Sequence, residues 1–407
     1  MNFATSWAPC ARSDVIPRRV SATSAARSYA PPAAGRNRYD FAELSGAFGD
    51  LGTLVPFVVA YLAIVKMDPA GVLLGFGGAM IATGLWYRTP FPVQPMKAIG
   101  AAAITGAAGA AITPAVVVGA GIATAAIWLF LGLSGLARRV AEWIPKPALL
   151  GVVLGLGFSF MLEGIRMMSA SPWLGAALLA FALLAQSRLP VMLLLLAAGV
   201  GITLWQDPAL ASQAALIRPD WRVPSPGWPG VTASDIWTGA VLLALPQLPL
   251  TFGNALVAIT GENNRLFPDR PVTERKVAIS TGLANAWSSA VGGVPVCHGA
   301  GGMAGHVKFG ARTGGATVMV GVVLAVLALF FADSVHILLR FFPEPVLGVI
   351  LFLAGAELAL SSREHGEERV GRFVLLTTAA FTVVHVGVAV VFGILAYHAS
   401  KRGWLRP

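Results

Sequence analysis

The feature that most limits this chain is how little of it belongs in water. From Phe41 to about Ser400, apolar runs follow one another with only short Pro/Gly or charged breaks between them. Charged residues are 12% of the 407, against about 25% in soluble domains, and mean hydropathy is +0.73. Such runs belong in lipid. No water is available there to bond a free N–H or C=O, so the backbone satisfies itself within helices. The expected fold class is an all-α polytopic membrane protein.

Spans read as 46–65, 70–87, 92–108, 114–136, 147–166, 172–187, 189–205, 236–260, 274–291, 295–310, 315–332, 345–360, 370–384 and 385–400. Several fall short of the ~20 residues of a straight crossing and suit half-helices or helices packed inside a bundle. Charge tests the arrangement. With the N-terminus cytoplasmic, 23 of the 29 Lys and Arg fall on inside segments. Five fall outside, Lys66, Arg166, Arg218, Arg222 and Arg340, and Lys97 lies within a span. The net charge of +10 is then the cytoplasmic excess of basic residues, not a nucleic-acid surface.

The chain divides into a basic arm (1–40), a first half (41–205), an external connection (206–235), a second half (236–400) and a short cytoplasmic tail (401–407). The arm reads as disordered and cytoplasmic, or as an organelle transit peptide, since it is rich in Arg and Ser and poor in acids. The host membrane expected is plasma or inner membrane, or an organelle membrane on the transit-peptide reading. Two cysteines, Cys10 and Cys297, make no disulfide framework.

The halves resemble each other. PFPVQPMKAIG (90–100) and GVPVCHGAGGM (293–303) share a Pro-Val pair at an offset of 203 residues. IPKPALLGV (144–152) and FPEPVLGV (342–349) share Pro-x-Pro at an offset of 198. Two matches in order point to a duplication, and seven spans per half make the repeats inverted. Secondary transporters built this way bind substrate near the midplane, where corresponding helices are interrupted by Pro and Gly.

The interrupted segments suit an anion. Proline pushes the residue before it toward extended backbone and is tolerated at a helix start. Phe91–Gln94 and Val294–Cys297 therefore read as extended, with helices starting near Pro95 and His298. A helix start presents free N–H groups and the positive end of its dipole, and two opposed starts make an anion site. The candidate contacts are Gln94, Pro95, Met96 and Lys97 on one side and Cys297, His298, Gly299, Ala300 and Gly301 on the other. Lys97 adds a charge that is costly in a span unless it has a use. His298 reads equally as a hydrogen-bonded structural histidine, and Cys297 as a small apolar filler. Two further spans contribute polar groups: Asp50 and Thr53 in the first, Gln247, Thr251 and Asn254 in the eighth. Gln247 and Asn254 offer amide donors. Asp50, unsuited to an oxyanion while ionised, reads as a proton carrier, an ion-pair partner or a cap.

At these residues the sequence closely resembles the molybdate transporter type 1 family, which is similar to the sulfate permeases. The resemblance rests on FGDLGTLVP (48–56), PFPVQPMKAIGAAAI (90–104), LPQLPLTFGNALVAI (245–259) and PVCHGAGGMAGHVKFGARTGG (295–315), and spans roughly 41–400. It implies high-affinity molybdate uptake, a seven-plus-seven inverted repeat with core and gate domains, and no appended C-terminal regulatory domain. Two departures stand out: Asn254-Ala255-Leu256 where Asn-Ser-Val is expected, and His306-Val307 where Gln-Tyr is common.

The reading is a secondary transporter importing molybdate by alternating access, with spans 1–4 and 8–11 as the moving core. A sulfate or general oxyanion carrier is the alternative, with tungstate a further candidate substrate, since physics takes the site only to a small oxyanion. An enzyme would need paired carboxylates, a metal cluster or a nucleophile dyad at membrane depth, and none stands at useful spacing. No cofactor and no bound metal are expected. The partners expected are the anion, the lipid bilayer and, in a fold class that often dimerises, a second copy.

Overall fold

Prolines and glycines decide where the helices stop, and the computed structural model shows where each stop falls. It describes residues 36–97, 99–100, 112–142, 145–185, 191–360, 369–384 and 386–404. Most of the arm, residues 101–108 of the third expected span with the three that follow it, Ile144 of the repeated motif, Arg188, Arg363 and the end of the tail lie outside the described residues.

In the first half, α1 (Phe41–Ala47) and α2 (Leu51–Ala60) are separated by a turn, and α2 runs on as a π-helical turn over Tyr61–Val65. Then come α3 (Pro69–Tyr87), the strand β1 (Gln94–Pro95), α4 (Pro114–Leu133) and α5 (Leu136–Glu142). The half closes with α6 (Lys146–Met168), α7 (Pro172–Ala185) and α8 (Val191–Gln206). Asp40, Asp68 and Thr113 cap α1, α3 and α4 through side-chain oxygens, and Pro at the first turn of α3 and α4 reinforces the start.

The connection expected as a loop contains a helix, α9 (Pro208–Ala215), bent 105° from α8. The second half opens with one long helical course broken in character. It comprises α10 (Ala233–Gly239), a π segment (Ala240–Ala244), α11 (Leu245–Leu250), a second π segment (Thr251–Ala258) and α12 (Ile259–Leu266). Pro246 and Pro249, which lack the N–H that an α-ladder needs, stand in α11 between the two π segments. The chain continues through α13 (Glu274–Ala290), β2 (Val296–Cys297), α14 (Ala300–Lys308), α15 (Gly315–Phe330), α16 (Val335–Leu339), α17 (Glu344–Leu360), α18 (Arg369–Val384) and α19 (Val386–Lys401).

Among the described residues, four helices can by length and composition cross a bilayer alone: Phe41–Val65, Pro69–Tyr87, Pro114–Leu133 and Lys146–Met168. Three bent pairs meet the same criterion jointly, and the other expected spans are shorter. The helices pack in two sets. In one, α15 lies along α3 and α13 along α4; in the other, α17 and α18 lie along α6. Glycines let α6 and α17 approach: a Cβ on Gly157 would stand 2.7 Å from the Gly355 carbonyl, and one on Gly164 2.6 Å from that of Gly348. The two strands and α14 lie where the sets meet, since α14 also contacts α17.

Candidate anion site

Extended backbone at membrane depth leaves polar groups that nothing in lipid can bond, so the protein has to supply partners. The two interrupted segments first satisfy each other. β1 and β2 pair antiparallel, Gln94 opposite Cys297 and Pro95 opposite Val296. Met96 N–H continues the contact to the Pro295 carbonyl at 3.1 Å. α13 supplies most of the rest. Asn285 donates to the Val296 carbonyl (2.6 Å) and accepts from the Val296 N–H (3.0 Å), imitating a third strand. Ser288 donates to the Val294 carbonyl at 2.7 Å, and Thr317 to that of Phe91 at 3.2 Å.

Helix begins again at Lys97 and at Ala300, two residues later than expected on each side, because pairing keeps Pro95 and Cys297 extended. One first-turn N–H on each side is capped by the same long helical course. Ile99 N–H donates to Gln247 Oε1 (3.3 Å), and Ala300 N–H to Asn254 Oδ1 (3.2 Å). The amides expected as donors to an anion thus use their oxygens as helix caps. Gln247 Nε2 donates to Thr251 Oγ1 at 3.0 Å.

His298 is held on both ring nitrogens. Nδ1 lies 2.8 Å from the Pro92 carbonyl, which can only accept, so Nδ1 carries a proton; Nε2 then accepts from Ser280 Oγ at 2.8 Å. Ser280 is in turn 2.6 Å from Tyr87 Oη, and the Phe91 ring meets the imidazole edge-on at 4.9 Å. His298 therefore positions the break, in line with the structural alternative set out for it. Cys297 is a buried free thiol.

Asp50, Thr53 and Gln94 form a second cluster. Gln94 Nε2 donates to Asp50 Oδ1 (2.6 Å) and Thr53 Oγ1 (3.0 Å), and Thr53 donates to Asp50. Asp50 Oδ2 and Gln94 Oε1 are buried without partners. Gly302 makes room here: a Cβ on it would stand 2.6 Å from Asp50 Oδ2 and 2.7 Å from Gln94 Nε2. His306 is buried, with Nδ1 donating to the Gly46 carbonyl at 2.8 Å.

Lys97 adds a buried cation to these unpartnered groups. Its Nζ is buried with no hydrogen-bond partner and lies 3.7 Å from the centre of the Phe160 ring. A cation over an aromatic face is attracted by the ring quadrupole. Phe160 comes from α6, and a Cβ on Gly301 would collide with its ring, so Phe160 stands against both helix starts. Nothing in the sequence marks it among the phenylalanines of an apolar span. A cavity of about 1150 Å³ opens from Thr53, Lys97 and Phe160 to a charged rim that includes Lys66, Arg166 and Arg340. Of the expected contacts, only Thr53 and Lys97 line that cavity; Gln94, Gln247, Asn254, Cys297 and His298 are buried and do not line it.

Comparison with known proteins places this arrangement. The family profile "Molybdate transporter of MFS superfamily" matches residues 42–160 and 239–358, two stretches of nearly equal length whose starts lie 197 residues apart. Molybdate transporter 2 of Arabidopsis thaliana is 32% identical over 403 residues, covering 86% of this chain and 85% of its own. Molybdate transporter 1 of Chlamydomonas reinhardtii is 28% identical, covering 88% and 92%. Among solved structures, murine Slc26a9, an anion transporter in the inward-facing state, superposes with a TM-score of 0.61 at 12% identity, over 92% of this chain and 70% of that one. The transmembrane domain of the cyanobacterial bicarbonate transporter BicA gives 0.52 at 17%, over 86% and 97%. At these identities the likeness is one of fold.

Proposed function

Because the chain belongs to the molybdate transporter family, as the profile match and the curated relatives show, we propose that it carries molybdate across a membrane as a secondary transporter. The observation that carries the site is one cation. Lys97 Nζ is buried, unpartnered and open to a cavity, beside two helix starts that approach each other across a two-residue ladder. A tetrahedral dianion there meets a full charge and the positive ends of two dipoles. Both attractions are stronger away from water.

Seven spans in each half, inverted, accommodate the offsets of the repeated motifs and of the two profile matches. On the charge count, Lys66, Arg166 and Arg340 lie outside, so the cavity they border faces outward; Glu163, Asp333 and Glu344 line it as well and balance the rim, which leaves Lys97 as the charge that attracts an anion. In alternating access the block carrying β1, β2 and α14 moves against α6 and α17. Phe160, on α6, is then the contact that changes at Lys97. Asp50 is the acid available for coupling to a proton; uptake that ignores external pH removes that role.

The test is uptake of molybdate at submicromolar concentration by cells carrying the full chain. Uptake above vector control, lost in Lys97→Ala, is expected; none above vector overturns the reading. Tungstate and sulfate as competitors set the specificity. Sulfate displacing molybdate at equal concentration assigns a general oxyanion carrier instead.

A further inference from the structure

A second groove, of about 580 Å³, runs between α3 and α13, away from the anion site. Its two ends differ in chemistry. At one end stand Arg275 and Lys276. Lys276 Nζ lies 4.8 Å from the centre of the Tyr87 ring and 5.5 Å from that of Trp86, with no carboxylate within ion-pair distance among the described residues. Arg275 uses Nε on the Gly132 carbonyl at 3.2 Å. Among the described residues, no acidic one lines the groove. Toward the other end the walls are Gly78, Ala82, Leu283 and Trp287, and both Leu283 (57%) and Trp287 (41%) stay exposed.

The length fits one particular occupant. From Trp86 back to Gly78 along α3 is about 12 Å at the rise of a helix. Half of a hydrocarbon core is about 15 Å. A basic end with aromatic rings at interface depth, continued by an apolar trough one leaflet deep, matches an amphiphile with an anionic head. A free phosphate would use the two basic residues and leave the trough unused. We propose that this groove binds an anionic phospholipid, its headgroup on Arg275 and Lys276 and an acyl chain along Ala82, Leu283 and Trp287. On the charge count the leaflet is the cytoplasmic one, whose lipids carry negative charge.

The site matters because it shares a wall with the break at His298. Tyr87 and Ser280 line the groove and form a relay to His298: Tyr87 bonds Ser280 at 2.6 Å, and Ser280 bonds His298 Nε2 at 2.8 Å. Lipid in the groove therefore rests on the same side chains that hold the second helix start.

Native mass spectrometry of the full chain in mild detergent, offered equal phosphatidylglycerol and phosphatidylcholine, tests this. The native chain should retain phosphatidylglycerol preferentially. Each basic residue near an anionic lipid is worth about fivefold, so Arg275→Gln with Lys276→Gln should lower retention roughly 30-fold on the same basis. Ala82→Trp, at an exposed position, fills the trough without touching charge and should also lower retention, which keeps the test open if the double variant does not fold. Arg138→Gln with Arg139→Gln, on the same side but off the groove, should change nothing. Equal retention of the two lipids by the native chain, unchanged retention in Ala82→Trp, or an equal loss in the Arg138/Arg139 control each overturns the proposal. Loss of molybdate uptake would not bear on any of these readouts.

Discussion

The two helix starts come from similar sequence and have diverged in what they are made to do. The second, at Ala300, is fixed from behind: Asn285 bonds both backbone groups of Val296, Ser288 holds Val294, and Ser280 holds His298. It brings no charge and is built from glycine, so its contribution is shape. The first, at Lys97, has two backbone carbonyls held by side chains, Phe91 by Thr317 and Pro92 by His298 of the facing break, and carries a buried cation. It also meets the other helix set through Phe160. A duplicated break has become a rigid wall opposite a charged one, and the movable contact lies on the charged side.

Experiments can break that division. The largest effect belongs to the charge. Lys97→Ala should weaken molybdate binding to the purified protein by about 30-fold, from the 1.5–3 kcal/mol typical of a bond to a charged group. Unchanged affinity would remove Lys97 from the anion's contacts. Next comes the rigid wall. Asn285→Leu strands two buried backbone groups and should cost roughly 2–3 kcal/mol of stability, read as a lower melting temperature. Thr317→Val strands one group on the other wall and should cost about 1 kcal/mol; equal losses would mean that the walls are equally braced. Smaller again for binding is Phe160→Ala. It removes a contact of about 1–2 kcal/mol, so equilibrium binding should stay within roughly tenfold by the same principle while uptake falls. Uptake and binding falling together would make Phe160 part of the anion's own contacts.

Much of this was readable beforehand, for physical reasons. Pro92 and Pro295 announce extended backbone because proline constrains its neighbour, and Lys97 announces itself because charge in lipid is costly. The helix starts were misplaced by two residues because strand pairing is a long-range event that local turn chemistry does not record. Gln247 and Asn254 were visible as polar, but a side-chain amide has two ends, and only the fold shows its oxygen taken by a helix N–H. Asn285, Ser280 and Ser288 were legible in principle as polar residues inside a span. One signal went unused: Phe48-Gly49-Asp50 and Phe252-Gly253-Asn254 stand 204 residues apart, close to the 203 of the two breaks. Phe160 had no signature, since nothing in an apolar run says which ring meets a cation.

Gln247 and Asn254 sit on a single helical course, one before and one within the π segment Thr251–Ala258. Each grips one of the two helix starts, so a few turns of one backbone act as a caliper whose jaws are the walls of the site. A π segment carries more residues per turn than an α-helix. Deleting one residue from Thr251–Ala258 would tighten it toward α geometry and change the offset between the two amides, pulling one jaw off its mark. The aperture offered to oxyanions of different radius is therefore adjustable at a place that need not touch them.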